Sequence, residues 1–266
     1  MSDPHGMAMV RGVLRPEQAE QRFTLAQHPP SAALAPFVDY HWIVRWDLRG
    51  EPDFEQTILP HPNVHLVFEE PEASIFGVVG GLFSRRLSGL GKALGVRFHP
   101  GGFHPFWGAS IAQLTGQVVP AVRLFGPAVE HTRKMIMDLA ADDLEMISHA
   151  EALLCAFMPE PDPAARHAAD LVAMITGDPA LRRVGQLSVA SGLTSRSLQR
   201  LFASYVGVSP KWVMRRARLH EAAQRASGGE PVDWAELAAD LGYADQAHLS
   251  RDFTATLGVS PTQYAR

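Results

Sequence analysis

Residues 207–210 read Gly-Val-Ser-Pro, and residues 258–261 read Gly-Val-Ser-Pro again, 51 positions later. The same offset aligns further pairs upstream: Leu198 with Leu249, Arg200 with Arg251, and Phe202 with Phe253. Two glycines suited to a turn, Gly192 and Gly242, lie at nearly the same offset. Because the surroundings repeat along with the tetrapeptide, the chain contains an internal repeat.

Each copy of the repeat predicts a short helix, a glycine turn, a longer helix and a Ser-Pro start to the next helix. This is the form of a helix-turn-helix. In the first copy, Thr194 or Ser195 can cap the longer helix, whose apolar residues recur at i, i+3, i+4 and i+7. In the second copy, Asp245 can cap the longer helix, and the apolar residues from Leu249 to Leu257 face inward.

The opposite face of each longer helix is polar. It presents Arg196, Gln199 and Arg200 in the first copy, and Ala247, Ser250 and Arg251 in the second. Arginine pairs with guanine O6/N7 and glutamine with adenine N6/N7, and each good pair discriminates by about 1–3 kcal/mol. A helical bundle with solvated arginines is the alternative, but a duplicated helix-turn-helix favours DNA reading.

A single helix is predicted between the copies, because Pro210 is followed by KWVMRRARLHEAAQRA. Such a helix of about 17 residues spans about 25 Å. It sets the two longer helices apart so that they can enter successive major-groove turns, about 34 Å apart on one DNA face. Arg215, Arg216 and Arg218 either contact the intervening phosphates or are ordinary solvated charges.

The charge is distributed unevenly along the 266 residues, whose net charge is −4. Residues 180–266 contain 11 Lys+Arg and 7 Asp+Glu, a balance of +4, whereas residues 1–179 contain 13 and 21, a balance of −8. This asymmetry indicates two domains with different partners. No long apolar segment or secretory leader is recognisable, which predicts a cytoplasmic protein without a membrane partner.

The first hundred residues have mainly strand patterns. Along residues 37–46, one face at period two is formed by Val38, Tyr40, Trp42, Val44 and Trp46. Short apolar runs at 63–68, 74–81 and 93–98 continue the pattern. The predicted fold class is α+β with two domains: a β-rich module, either a sandwich or a cupin-like barrel, with a helical extension, and an all-α module with two helix-turn-helix motifs.

The proline-containing segment PEPDP at residues 159–163 is the best linker candidate. The predicted organisation is as follows: a flexible amino terminus (1–22), a β-rich sensor or dimerisation domain (23–160), and a DNA-binding domain (164–266) containing a first helix-turn-helix (about 184–206), a linker helix (about 209–227) and a second helix-turn-helix (about 234–257).

The carboxyl-terminal stretches ASGLTSRSLQRLFASYVGVSP (190–210) and LAADLGYADQAHLSRDFTATLGVSPTQY (237–264) resemble the DNA-binding domain of AraC/XylS transcription regulators. The resemblance implies base contacts from Arg196, Gln199 and Arg200 on the first unit, and from Gln246, Ala247, Ser250 and Arg251 on the second. Ala247 and Ser250 have small side chains, so the second unit offers only one strong base contact. In this it departs from the pattern of the family.

The resemblance also implies a function, that of a sequence-specific transcription regulator with double-stranded DNA as its partner. Further candidate partners are a small-molecule effector, RNA polymerase and a second copy of the chain, and neither a cofactor nor an enzymatic activity is expected. The segments ILPHPNVHLVFE (58–69) and GVRFHPGGFHPFWG (95–108) resemble a poorly characterised β-rich sensor domain of the same family. An amino-terminal domain that only dimerises the chain is the alternative.

Four histidines, His61, His65, His99 and His104, raise the question of a metal site. A metal-dependent β-barrel enzyme is therefore the rival function, although ordinary turn and strand-end roles are the simpler interpretation.

The single cysteine, Cys155, lies in an apolar run and is expected to be buried and inert. The aromatic residues of the β-rich domain are expected to be mainly core, with some lining a pocket: Tyr40, Trp42, Trp46, Phe98, Phe103, Phe106 and Trp107.

Overall fold

The computed structural model describes residues 21–138, 140–227 and 232–265. The predicted flexible terminus therefore lies almost entirely outside the described residues. The amino-terminal part contains the strands β1 (Thr24–His28), β2 (Val38–Leu48), β3 (Phe54–Ile58), β4 (His65–Phe68), β5 (Ala73–Phe76), β6 (Phe83–Leu87), β7 (Gly89–Phe98) and β8 (Val118–Pro120). In the described part of the chain, no helix is both long enough and apolar enough to cross a membrane.

Short helices follow the strands and pack on the sheet. They are α1 (His104–Trp107), a 3-10 turn (Ile111–Gln113), α2 (Val122–Phe125), α3 (Ala128–Met137) and α4 (Asp143–Ala156). The carboxyl-terminal part is helical throughout, with α5 (Pro163–Gly177), α6 (Val184–Ser191), α7 (Ser195–Leu201), α8 (Pro210–Ala226), α9 (Trp234–Asp240), α10 (Gln246–Leu257) and α11 (Pro261–Tyr264). Helix α7 continues as a π-helical turn over Phe202–Val206.

The strands form two antiparallel sheets. Six strands pair in the order β1-β2-β7-β4-β5-β8, and β3 pairs with β6 in a second sheet. The barrel-like alternative is therefore wrong for the described residues, because the six-stranded sheet is open, with β1 and β8 at its edges. The smaller sheet does not close it, since β3 and β6 pair only with each other. The predicted α+β class with a helical carboxyl-terminal part is confirmed.

One face of the large sheet packs against α1–α4 to form the main core, which includes Phe98, Phe103 and Phe106. The predicted period-two face of β2 is only partly correct. A β-bulge between Val38 and Tyr40 interrupts the register with β7, so Val38 joins this core. The other four residues of that face line a cavity on the opposite side of the sheet.

The predicted burial of Cys155 is wrong, because its side chain is exposed. Helix α4 buries a stripe formed by Met146, Ile147, Ala150, Leu153 and Leu154. Cys155 follows this stripe and falls on the solvent side of the helix. The apolar run at the end of this helix predicts more burial than the final turn has.

The repeated Gly-Val-Ser-Pro tetrapeptides make the same local structure twice. Gly207 and Gly258 adopt left-handed backbone conformations, with φ of 89° and 77°, and end the preceding helices. Ser209 and Ser260 then accept a hydrogen bond from the backbone N–H three residues later. Proline follows each serine at the first helical position, where its missing N–H is not needed. The repeat is therefore a helix stop followed immediately by a capped helix start.

Candidate functional site

The carboxyl-terminal part contains two helix-turn-helix units, α6–α7 and α9–α10. The turn glycines Gly192 and Gly242 have φ of 69° and 73°, as a tight turn after a helix requires. The side chain of Thr194 accepts a hydrogen bond from Ser197 N, and that of Asp245 accepts one from His248 N. The structure thus confirms Asp245 as a cap and selects Thr194 over its neighbour in the first unit.

The apolar sides of α7 and α10 are buried, and their polar sides face solvent. Of the seven predicted base-reading residues, Ser250 is half-buried. The other six are exposed: Arg196, Gln199, Arg200, Gln246, Ala247 and Arg251. Among the described residues, the side chains of Arg196, Gln199 and Arg200 have no hydrogen-bond partner, and Nε of Arg251 donates to Ala247 O at 3.2 Å. These residues are accessible, and their role in base reading stays a prediction.

The three arginines of the linker helix α8 have different surroundings. Arg215 pairs with Asp252 at 2.5 Å, and the Arg218 guanidinium lies 4.8 Å from the centre of the Tyr243 ring. Arg216 is only 3% exposed and donates to the carbonyl oxygens of Gly80 and Gly81. The hypothesis of a phosphate contact is therefore wrong for Arg216, whose burial lowers its pKa to about 10.

The four histidines of the metal hypothesis contact different partners. His61 stacks on His220 of α8, with ring centroids 3.9 Å apart, and His65 accepts a hydrogen bond from Trp42 Nε1 at 3.1 Å. His99 lies 4.0 Å from Asp39, while the ring of His104 lies 3.9 Å from that of Tyr205. Within the described residues, no three His, Cys, Asp or Glu side chains are grouped as a metal site requires. His61, His65 and His104 thus have ring or hydrogen-bond contacts to other parts of the fold.

A cavity of about 220 Å³ lies between the large sheet and the β3–β6 sheet. Its walls are mostly aromatic and aliphatic. Aromatic side chains come from Phe23, which precedes β1, and from residues of both sheets: Tyr40, Trp42, Trp46, Phe76 and Phe83. The expectation that some aromatic residues line a pocket is therefore confirmed for Tyr40, Trp42 and Trp46. Concave apolar cavities with a few polar groups are typical of small-molecule sites.

Two tryptophan–glycine pairs shape the cavity wall. Trp42 on β2 lies opposite Gly95 on β7, and Trp46 lies opposite Gly91. A Cβ atom at Gly95 would come within 2.0 Å of the Trp42 ring, and one at Gly91 within 2.2 Å of the Trp46 ring. Each indole thus occupies the space where its partner's side chain would be. The glycines therefore allow the two rings to lie against the sheet, where they form part of the aromatic wall.

The cavity wall reaches the second helix-turn-helix through the residues that follow β3. Leu59, Pro60 and His61 line the cavity, while Leu59 is fully buried within the apolar cluster formed by α8, α9 and α10. On the other side of the contact, His220 of α8 stacks on His61. Sequence reasoning missed this junction, since a leucine before a proline looks like any strand end.

Comparison with known proteins gives one match to each part of the chain. Residues 187–266 match the model of a helix-turn-helix domain, and residues 26–120 match that of a domain of unknown function. No curated protein sequence matches the chain.

Solved structures of one protein are distantly similar to the chain. ToxT from Vibrio cholerae O395 has 10% identity and a TM-score of 0.41, covering 92% of this chain and 97% of its own. Unsaturated fatty acid bound wild-type ToxT from Vibrio cholerae strain SCE256 has 11% identity and a TM-score of 0.38, covering 92% of this chain and 91% of its own.

The matched carboxyl-terminal residues coincide with the two helix-turn-helix units described above. Their order, a unit, a linker helix and a second unit, is the arrangement that the sequence resemblance implies. The carboxyl-terminal domain of this chain is a helix-turn-helix DNA-binding domain of the AraC type, the kind found in transcription regulators.

Proposed function

We propose that the chain is a sequence-specific transcription regulator that acts in the cytoplasm, reads two successive major-groove segments, and responds to a small-molecule effector bound by its amino-terminal domain. One observation supports the DNA-reading part above all. Two capped helices with exposed polar faces, α7 and α10, flank a single helix, α8, of 17 residues. At 1.5 Å per residue, that helix spans about 25 Å, a separation compatible with adjacent turns of the major groove.

The cavity supports an effector rather than a domain that only dimerises the chain. A β-domain used purely for assembly needs no internal space, whereas this one has a cavity with an aromatic wall. Its lining residue Leu59 is also part of the core of the second helix-turn-helix. A ligand that moved Leu59 would therefore disturb the packing of α10. RNA polymerase and a second copy of the chain remain candidate partners.

Replacing Arg200 with alanine is expected to weaken binding to the preferred DNA site by about 1–3 kcal/mol and to relax the preference at one base pair. The physical reason is the loss of a bidentate contact to a base edge. The measurement is fluorescence anisotropy, comparing a site selected by the wild-type chain from random duplexes with unselected DNA. Arg251→Ala is tested in the same way for the second unit.

Arg166→Ala is the matched control, because it removes an exposed arginine from α5, outside both reading helices. It should reduce binding to selected and unselected DNA by similar small factors. If Arg200→Ala also reduced both equally, its contact would be to phosphate, and the base-reading role of Arg200 would be wrong.

A single chain is expected to protect one asymmetric site of about 20 base pairs, two helical turns, with both contacts on one DNA face. The reading faces differ, with Arg196, Gln199 and Arg200 on one unit against Ala247, Ser250 and Arg251 on the other. The half-site of the first unit should therefore contain more sequence information. Hydroxyl-radical footprinting measures this, and a short palindrome contacted by one unit per chain would contradict the proposal.

A further inference from the structure

The cavity of the amino-terminal domain has the size of a small aromatic molecule. Its volume is about 220 Å³, whereas a cavity of about 150 Å³ in a protein interior accommodates benzene. The walls are formed largely by aromatic rings, with Trp42 and Trp46 held against β7 by their glycine partners. Aromatic rings gain from stacking or edge-to-face contacts with other rings beyond the area that they bury. The space therefore suits one or two fused rings.

The charged groups that line the cavity are already compensated. Arg97 donates to Tyr40 Oη at 2.8 Å and to Asn63 Oδ1 at 2.9 Å. Within the described part of the chain, its Nε makes no hydrogen bond but lies 3.2 Å from Asp39 Oδ2, so the charge is balanced by an ion pair. Arg85 pairs with Glu69 at 2.6 Å. Because both arginines of the lining have carboxylate partners, an anionic ligand would have to compete with them.

The surroundings of these charges also disfavour a charged ligand. Burial raises the pKa of Glu69, although Arg85 beside it acts in the opposite direction. Burial likewise lowers the pKa of His65 to about 3, so that this imidazole is neutral. Both shifts indicate that ions lose more hydration here than the protein returns, so a neutral ligand is favoured.

Among the described residues of the lining, Gln56 has a buried acceptor without a hydrogen-bond partner. Gln56 on β3 is 6% exposed, and its Nε2 donates to Thr57 O at 2.8 Å. Because a carbonyl oxygen can only accept, this bond fixes which end of the amide is nitrogen. The other end, Oε1, is buried without a hydrogen-bond partner. A buried acceptor left in this state is unfavourable, and a ligand with a donor would satisfy it.

Building on the proposed effector function, we propose that this cavity binds a neutral aromatic molecule of one or two rings that donates a hydrogen bond to Oε1 of Gln56. The aromatic walls select a flat ring system by its shape. The compensated arginines exclude anions, and the unpartnered acceptor selects a ligand with an N–H or O–H group at its edge.

The test uses isothermal titration calorimetry on the full-length protein without DNA, with three compounds of similar shape. Indole has the required N–H, benzofuran has an oxygen in its place, and indole-3-carboxylate adds a negative charge. Indole is expected to bind at least about fivefold more tightly than benzofuran, because only indole can donate to Gln56. Indole-3-carboxylate should bind the most weakly. Equal affinities for indole and benzofuran, a preference for the anion, or no binding of indole would overturn the proposal.

Two variants locate the site. Gln56→Leu should bring the ratio of indole to benzofuran affinity to about one while retaining benzofuran binding, because it replaces only the acceptor. Gly95→Ala should abolish binding of both, because its Cβ would displace the Trp42 ring. Circular dichroism checks that each variant folds, and Gln56→Leu decides the question if Gly95→Ala does not. A ratio unchanged in folded Gln56→Leu would contradict the assignment.

The outcome is separable from that of the proposed DNA-reading function. Selection of a DNA site by the same full-length preparation, followed by the Arg200→Ala comparison, tests reading without any ligand. If the chain reads DNA but does not bind indole, the proposed regulator function stands and the proposed ligand class is wrong. If the chain binds indole through Gln56 but selects no DNA site, the proposed ligand class stands and the proposed regulator function is wrong.

Discussion

Acidification from about pH 7 to about pH 4.5 is expected to cost the folded chain several kcal/mol of stability, with His65 and His220 as main contributors. Burial lowers the pKa of His220 to about 2, and nearby His61 and Arg216 add to the effect. For His65, burial again has the largest effect and lowers the pKa to about 3. Both imidazoles therefore stay neutral in the folded chain.

Stability falls on acidification because the folded and the unfolded chain bind protons differently. Each folded-state pKa lies below 6.5, the ordinary value for histidine, so the contribution of each neutral imidazole is complete above pH 6.5. As the pH falls below this value, the unfolded chain takes up protons that the folded chain does not. Stability then declines by up to about 1.4 kcal/mol per pH unit for each histidine. The loss continues until the pH approaches the folded-state values.

The measurement is urea unfolding at both pH values, comparing wild type with His220→Gln. The glutamine does not titrate, so the variant should lose about 2–3 kcal/mol less than wild type over this interval, whatever its stability at neutral pH. His131→Gln, which removes an exposed histidine from α3, is the control and should follow wild type. Identical pH dependence in His220→Gln and wild type would show that His220 is not held neutral by the fold.

The helix-turn-helix units were predictable because local chemistry determines them. A glycine that ends one helix, a serine that caps the next and a proline at its first turn are all read from adjacent letters. The structure has each of them, with Ser209 and Ser260 as caps and Thr194 and Asp245 at the second helices. The buried stripe of α10, from Leu249 to Leu257, follows from helical periodicity in the same way.

The cavity was less predictable, because an apolar strand face looks the same whether it meets a core or an empty space. The period-two positions of Tyr40, Trp42 and Trp46 are compatible with both. What distinguishes them is Gly91 and Gly95 on β7, which pair with the two tryptophans across the sheet. Register between strands far apart in sequence depends on the whole fold, and a single sequence does not reveal it.

Contacts between the two parts of the chain were not predictable for the same reason. The basic stretch around Arg216 predicts a contact with phosphate or solvent, yet Arg216 is buried against Gly80 and Gly81. Nothing in the neighbouring letters distinguishes it from Arg215, which is exposed and pairs with Asp252. Arg216 is buried because the loop before β6, with Gly80 and Gly81, packs against it.

Replacing Leu59 with alanine is expected to lower the free energy of unfolding by about 2–5 kcal/mol, as for other fully buried leucines. Leu59 has 0% exposure and lies within the apolar cluster of α8, α9 and α10, although it belongs to the β-rich part of the chain. Urea unfolding measures the loss. Leu90→Ala is the control, because Leu90 on β7 is 56% exposed and its truncation should change stability by less than about 0.5 kcal/mol.

A double-mutant cycle shows whether Leu59 stabilises the helix-turn-helix rather than only its own sheet. Leu219 of α8 is 1% exposed and belongs to the same cluster. If the two side chains share one core, the cost of Leu59→Ala combined with Leu219→Ala should differ from the sum of the single costs by about 0.5–3 kcal/mol. Strict additivity would contradict a shared core. Coupling would mean that the wall of the cavity and the core beneath α10 are one packing unit, so that a displacement of Leu59 would change the packing beneath α10 directly.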